Sequence, residues 1–588
     1  MSKTQTVVKG GSFMHQALSS TTFTPEDFTD EHKMIAATAK QFIEKEVDQF
    51  SEEIEQQNFD IVVNLLKKAG DLGLLAHSVP EAYGGLGLDK VSKGLVGEII
   101  GRTSGYGVAH SNHTCIATLP ITYFGTKEQK EKYLPKLASG EYLGAYCLTE
   151  PGSGSDALAA KTNAKLNADE THYLLNGTKL YITNAVFSDT FIVYAKVDGV
   201  KFTAFIVEKD FPGLTLGPEE KKMGIKGSST RSVILEDCLV PIENLLGEVG
   251  KGHVIALNVL NLGRFNLGSA CMGGAKFAYK LALTYTKERS QFNRRIADFP
   301  ATKEKIAKMA ARLYAAESIQ YRTAGLLEGA LGDLYGCEDH KLIGRQMMEF
   351  AIECAICKVY GSETLDEIAD EALQLHGGAG FISEYKVEQI YRDSRINRIF
   401  EGTNEINRLL LPTHFFRRAL KGEFSLEEIV QKALHDLTLK PRHFESLLDK
   451  EKATTQAIRN VLLACMGVAY ETCGEKLVEE QETLMKLSDL AMNLFAVESC
   501  VARTDQALAR NERSNLREQL TSAVVNNALL ECEYIAKKLV NGILSGEKRK
   551  QLLTLFSNHL QAFEQEGTVE RNRSIADAQL EEEQYICS

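Results

Sequence analysis

The chain has 588 residues and a net charge of −12, with no long Lys/Arg run to offset it, which argues against non-specific nucleic-acid binding, where clustered cations must neutralise phosphates. Hydrophobic residues make up 44% and charged residues 25%, ordinary usage for a folded chain with a large core, and no apolar run reaches the roughly 18 residues that span a bilayer. The 12 cysteines are scattered, which suits free buried thiols in a reducing compartment and makes cytoplasm the expected location.

Residues 1–25 lack the apolar stretch of a signal peptide and read as a poorly ordered tail. Thr24-Pro25-Glu26-Asp27 then looks like a helix start: a hydroxyl cap, Pro in the first turn, acid near the positive end. Ile35, Ala39, Phe42, Ile43 and Val47 follow at helical spacing. Thr126 with Gln129 forms a second capping box, closed by Gly140. The character changes near Glu141. Short apolar or alternating runs follow at 146–148, 172–185, 191–196, 202–207 and 232–235. Asn176-Gly177 inside the second run is a strong hairpin signal. The stretch 141–252 therefore reads as an antiparallel β domain. Helical periodicity returns in long segments at 258–287, 303–328 and 342–374, as in a long-helix bundle. Glu401-Gly402-Thr403 interrupts it, Thr403 can cap the next helix, and Pro412 ends that helix. The expected units are a tail (1–25), a helical domain (26–144), a β domain (145–252), a helical bundle (253–411) and an additional helical domain (412–588).

Several stretches can carry chemistry. In Leu148-Thr149-Glu150-Pro151-Gly152-Ser153-Gly154-Ser155-Asp156 the glycines allow close backbone approach and Thr149 and Ser155 offer hydroxyls. It reads equally as a turn with no ligand. It is not a dinucleotide fingerprint, because no helix follows in a βαβ unit. Tyr181 and Thr183, two apart on a strand, share a face that can hold a flat ring; they also read as ordinary strand residues. Glu401, next to Phe400 and before a glycine, can be a base in an apolar pocket with a raised pKa. On pattern alone it reads as well as a solvated loop acid. Gln374-Leu375-His376-Gly377-Gly378 is a glycine-rich helix end. Arg264, mid-helix among apolar neighbours, needs an acid or phosphate partner. Arg289 is a helix-end cation. Cys354 and Cys357 on an apolar helix read as buried thiols rather than zinc ligands, and His110, His113 and Cys115 complete no tetrahedral set, so no metal is expected. No G-x-S-x-G elbow is present.

Taken together and in order, TEPGSGSD, YITNA, the Met223-Gly224-Ile225-Lys226-Gly227 turn, ERSQF, LQLHGGAGF and RIFEGTNEI resemble the acyl-CoA dehydrogenases over residues 30–411. The resemblance implies a mainly α fold with a middle antiparallel β domain: α-bundle, β-barrel, α-bundle. It implies FAD, bordered by Tyr146, Leu148, Thr149, Ser155, Tyr181 and Thr183, with Thr403 and Glu405 alongside. Arg289 and Phe292 would hold the FAD diphosphate end across a subunit interface, near Gln374 and Gly378. Ser155, Asn261, Arg264, Phe400 and Gly402 would contact an acyl-CoA substrate, and Glu401 falls on the family's catalytic base. The implied reaction removes the α-proton through Glu401 and the β-hydride to flavin, giving trans-2-enoyl-CoA in fatty acid β-oxidation, with electron-transfer flavoprotein as acceptor.

Three departures matter. Tyr181 stands where the family often has Trp, and the chain has no Trp. Some branches carry the base just before the arginine matched by Arg264; here Gly263 occupies that place, leaving Glu401. The segment at Phe299-Pro300 lacks the Gln of many short- and medium-chain members, as the very-long-chain branch does. The extension after Leu411 is similar to that branch too, which implies a homodimer. His414-Phe415-Phe416-Arg417-Arg418 has the apolar and basic groups of a peripheral membrane contact, and equally those of a solvated helix start. Competing readings are an acyl-CoA oxidase that uses oxygen and a non-catalytic interaction protein of the same fold.

Overall fold

The structure, a computed structural model, describes residues 8–440 and 443–588. Residues 1–7 of the expected tail lie outside the described residues. From residue 8 the segment is packed rather than loose. The Gly11 N–H donates to Glu353 Oε1 at 2.6 Å, and Phe13 and Met14 are buried, with the Phe13 ring centred 4.7 Å from that of Phe495. Two apolar side chains in a polar stretch gain more from burial than their backbone loses in freedom. Thr24 caps only the single turn Pro25–Asp27; the first α-helix, Asp30–Phe42, begins at another capping box, Thr29 with His32. Helices Phe59–Asp71, Lys90–Gly101, Gly105–Asn112 and Lys127–Ser139 follow. The last has the expected Thr126–Gln129 box and a left-handed Gly140, φ 77°.

The β region contains β1 (Gly144–Cys147), β2 (Asn163–Leu166), β3 (His172–Thr183), β4 (Thr190–Val197), β5 (Lys201–Glu208), β6 (Leu214–Leu216), β7 (Thr230–Pro241) and β8 (Leu245–Leu246). Their order is β6-β7-β3-β2-β4-β5-β8, with β1 on β4. The sheet is mixed, not antiparallel throughout: β1 and β2 both run parallel to β4. Asn176-Gly177 is not a hairpin turn. It lies inside β3, at a bulge against β7. A Cβ on Gly177 would sit 2.3 Å from Thr162 Oγ1, so the glycine serves a close strand crossing. Asn176 Nδ2 donates to Asp237 Oδ1 at 2.9 Å, on the paired strand. A two-residue turn does occur between Ser290–Gln291 and Arg294–Arg295, at Phe292 (φ 52°) and Asn293 (φ 62°), where both central residues take positive φ.

The second helical region is built on Gly252–Glu288, Pro300–Leu331 and Ala351–His376, with His340–Glu349 split from the last by Phe350. Helix Asn404–Leu420 runs through Pro412 instead of ending there. Proline leaves the Arg408 carbonyl without its helical donor, and the Ser488 hydroxyl takes that place. Phe415 and Phe416 are buried, so the segment 414–418 does not present these rings to a membrane.

Helices Leu447–Cys473, Gln481–Ala509 and Asn515–Ile543 form the additional region. Buried charges join it to the rest. Arg503 pairs with Glu317 at 2.7 Å and with Glu26 at 2.8 Å, and Glu317 also meets Lys276 at 2.5 Å. Burial pushes the Glu317 carboxyl up, but Lys276 and Arg503 outweigh it and hold it at about 2. A depressed carboxylate stabilises the fold above its ordinary value of 4.5, and that contribution disappears as pH falls toward 2. Arg503→Met removes one cation from each carboxylate and leaves Glu317 with Lys276 and Glu26 with Arg517 at 3.3 Å, so we expect a loss of about 1.5–3 kcal/mol, read as a lowered thermal midpoint at neutral pH.

Candidate active site

Three helical stripes enclose one slot of about 900 Å3, including its open mouth. Helix Gly252–Glu288 supplies Gly263, Asn266, Leu267, Ala270, Cys271 and Gly274. This i, i+3, i+4, i+7 spacing places all of them on one face. Val108, Ser111, Asn112, Cys115 and Ile116 repeat the spacing on the second wall, and Ile390, Asp393, Ser394 and Asn397 on the third, with Phe400 and Glu401 added from the turn that follows. Glu401, Gly263 and Ile116 lie together, and Gly274, Gly101 and Leu365 lie together further along the same helix face. Thr183 from the β domain also lines the slot. It is brought there by Asn184, which turns left-handed (φ 68°) and donates from Nδ2 to Ala109 O at 2.8 Å.

Glu401 holds a left-handed backbone, φ 57°, followed by Gly402 at φ 76°. For a residue with a Cβ this costs about 1–2 kcal/mol, so the turn must be tied down. Asn407 Nδ2 donates to the carbonyls of Glu401 (3.3 Å), Gly402 (2.8 Å) and Thr403 (3.1 Å). Lys358 Nζ donates to Gly402 O at 2.7 Å. Arg264 is buried, bonds Asn261 Oδ1 at 2.9 Å and directs Nε toward Glu401 O at 3.4 Å. Asn261 is buried too, with its amide on Met348 Sδ at 3.3 Å. Thr403 caps the next helix through Ile406 N.

The Glu401 Oε2 atom is enclosed and has no hydrogen-bond partner among the described residues. Burial pushes this carboxyl up; Arg264 and then Lys358 draw it back, and it lies at about 7. An acid in that range can exchange a proton near neutrality. It is not the solvated loop acid that its pattern also allowed.

The other expected site residues fall into groups. Tyr146 and Leu148 are buried on β1 and just after it. Thr149 O accepts from Leu180 N at 2.9 Å, which draws the 149–156 loop beside β3. Glu150 anchors that loop with a buried bond to Lys179 at 2.6 Å. Ser155 is exposed, and a Cβ on Gly152 or Gly154 would meet nothing within 4 Å. Tyr181 does not share a regular strand face with Thr183: its φ is 59°, and its ring is 64% exposed. Arg289, Gln374, Gly378 and Glu405 are on the surface. Phe292 is 88% exposed and Phe381 84%. These open glycines, bare aromatic rings and the unpartnered carboxylate oxygen fit a large planar cofactor with a diphosphate arm. Among the described residues, no group of His, Cys, Asp and Glu is placed to hold a metal ion.

Sequence reasoning missed Lys358, Asn407, Cys115 and Cys271. Lys358 had the same signal as Arg264, a cation inside an apolar helix. The cysteines look like ordinary core.

Family models for the acyl-CoA dehydrogenase N-terminal domain, middle domain and C-terminal domain match residues 29–141, 145–238 and 250–414, and a further acyl-CoA dehydrogenase C-terminal model matches 457–557. The chain belongs to the acyl-CoA dehydrogenase family. A Bacillus subtilis protein named "Probable acyl-CoA dehydrogenase" is 48% identical over 99% of this chain and 99% of its own length. The very long-chain specific acyl-CoA dehydrogenase of Bos taurus mitochondria is 32% identical over 92% of this chain and 84% of its own. The crystal structure of a Bacillus anthracis acyl-CoA dehydrogenase complexed with FAD superposes with a TM-score of 0.95 at 48% identity, covering 98% of this chain and 100% of that one.

Proposed function

We propose that the protein is an FAD-dependent dehydrogenase that converts long-chain acyl-CoA to trans-2-enoyl-CoA in fatty acid β-oxidation. The observation that carries this reading is the unpartnered Glu401 carboxylate at the head of an apolar slot. Glu401 accepts the α-proton of the thioester, and Arg264 stabilises the charged form of the base beforehand. The Glu401 backbone N–H is the expected donor to the thioester oxygen, where negative charge develops. FAD, when bound, supplies the acceptor for the β-hydride. Thr149, Ser155, Tyr181 and Thr183 would hold its ring, and Arg289, Phe292, Gln374 and Gly378 its diphosphate end.

The slot supports a long acyl chain. Gly263 and Gly274 are eleven positions apart on one helix face, about 16 Å of rise. An extended chain advances about 1.25 Å per carbon, so about a dozen carbons fit beyond the α-carbon. Anaerobic titration of the flavin-loaded protein with saturated acyl-CoAs tests the reading. We expect flavin bleaching that is strongest at about C12–C16; no bleaching at any length would overturn it.

Gly274→Leu should shorten the preferred chain. A Cβ there already comes within 3.3 Å of Leu365 Cδ1, so a larger side chain must fill the slot. The ratio of kcat/KM for C16 to that for C8 should fall by about 10-fold or more.

The exposed Phe292, Phe381, Ile382 and Tyr385 support a homodimer that covers these side chains and completes the FAD site. Electron-transfer flavoprotein is the proposed acceptor; peroxide formed at the full turnover rate without an acceptor would replace it with oxygen. The proposed location is the cytoplasm. No helix of the described residues is long and apolar enough to cross a membrane.

A further inference from the structure

Lys358 lies in the first third of helix Ala351–His376 with 0% of its surface exposed. Burying an ammonium is costly unless its N–H groups are taken up. Nζ donates to Gly402 O at 2.7 Å and to Asn404 Oδ1 at 2.7 Å. Both acceptors belong to the turn that follows Glu401. Asn404 is held in its turn by Ser362 Oγ at 3.1 Å and Glu363 Oε1 at 3.1 Å, one turn further along the Lys358 helix. That helix therefore grips the base's turn through three side chains.

Packing alone does not call for this amine. An apolar residue of similar length would fill the space without desolvating a charge, and the Gly402 carbonyl already receives Asn407 Nδ2 at 2.8 Å. The charge needs a separate account: both acceptors lie in the turn that carries Glu401, and after Cys271 the ionisable group that most favours the ammonium is Glu401.

We propose that Lys358 is a positioning residue for the base: its ammonium fixes the Glu401–Asn404 turn through Gly402 and Asn404, and its positive charge keeps the enclosed Glu401 carboxylate ionised. This rests on the reading of Glu401 as the base. Arg264 and Cys271, from helix Gly252–Glu288, and Glu405, from helix Asn404–Leu420, also face Lys358. Cys115, from the second wall of the slot, and Tyr146, from β1, are also within electrostatic reach of Glu401. Burial pushes the Lys358 amine down, Cys271 and Glu401 draw it up, Arg264 opposes them, and the amine lies at about 8. Its charge is present through the neutral range and lost above it.

The test compares pH profiles of the flavin-loaded wild type, Lys358→Met and Lys358→Gln, with Glu401→Gln as reference. Lys358→Met should bind flavin, lose about 10–100-fold in kcat with little change in KM, and shift the acidic limb of kcat/KM upward by about one pH unit. The alkaline limb near pH 8 should vanish. Lys358→Gln keeps a donor for Gly402 without the charge; it should show the same shifts with a smaller loss of kcat. A flavin-loaded Met or Gln variant with both limbs in place overturns the proposal, whatever its rate. Failure of both variants to retain flavin marks a packing role and overturns it as well. Ordinary turnover by Glu401→Gln would instead sink the reading of the base, so the two failures are distinguishable.

Discussion

Glu401→Gln should lower turnover of acyl-CoA by about 10²–10⁴-fold, the usual contribution of a positioned general base, while leaving the protein folded and yellow. The amide matches the carboxylate in shape, so the slot and the turn at 401–404 survive. What is lost is the charge on a carboxylate whose Oε2 is enclosed without a hydrogen-bond partner among the described residues. The same carboxyl sets the pH dependence. Burial disfavours its charged form and raises it; Arg264 and Lys358 offset part of that, leaving it at about 7. Below that pH Glu401 is protonated and cannot accept the α-proton, so kcat/KM should climb through about pH 7 before the alkaline limb that Lys358 sets near pH 8. Stopped-flow bleaching of the flavin across pH, in both proteins, measures both effects. A wild-type profile that is flat from pH 5 to 8 would assign proton removal to another group.

Gly263→Ala should be nearly as damaging, although it adds only one methyl group. Its Cβ would stand 2.8 Å from Glu401 Oε2, 3.2 Å from Glu401 Cδ and 3.2 Å from Ile116 Cγ2. Ordinary carbon–oxygen contacts lie beyond 3 Å, so the carboxylate must swing away. A displacement of about 1 Å at a reacting group can cost about 10²-fold. We expect kcat to fall by that order with flavin affinity unchanged, because Gly263 lies at the slot and not among the residues proposed for the FAD diphosphate. A change confined to KM would indicate that the methyl obstructs the acyl chain without moving the base.

The helical stretches were legible because their signals are local. The Thr126 capping box and Gly140 behaved as read, and the long bundle helices followed their apolar period. The errors came where distant packing reverses a local cue. Asn176-Gly177 lies in a continuous strand because Thr162 crosses against it, and the parallel pairings of β1 and β2 with β4 leave no mark in short-range alternation. The turn at Phe292-Asn293 has no such signature, and its exposed ring suits a face covered by something other than this chain. Pro412 continues a helix because Ser488, 76 residues away in sequence, accommodates the freed carbonyl.

The site was legible in part. The apolar neighbour and following glycine of Glu401 left a solvated loop acid open, and only the family resemblance pointed to a base; the raised carboxyl depends on burial that no spacing reports. Arg264 was expected to need an acid or phosphate partner; it bonds instead to the Asn261 amide oxygen and points Nε toward the Glu401 carbonyl. Lys358 carried the same cue and was passed over. The slot itself could not be read in advance, because it exists only where three helical stripes from 108–116, 263–274 and 390–397 meet.

Hydrogen exchange at the α-carbon tests the central claim most directly. A 3-thia acyl-CoA has sulfur at the β-position and no hydride to give, so only the first step can occur. Incubated in D2O with the flavin-loaded wild type, it should take up deuterium at the α-carbon, and with Glu401→Gln it should not. Equal exchange by the two proteins would contradict the account.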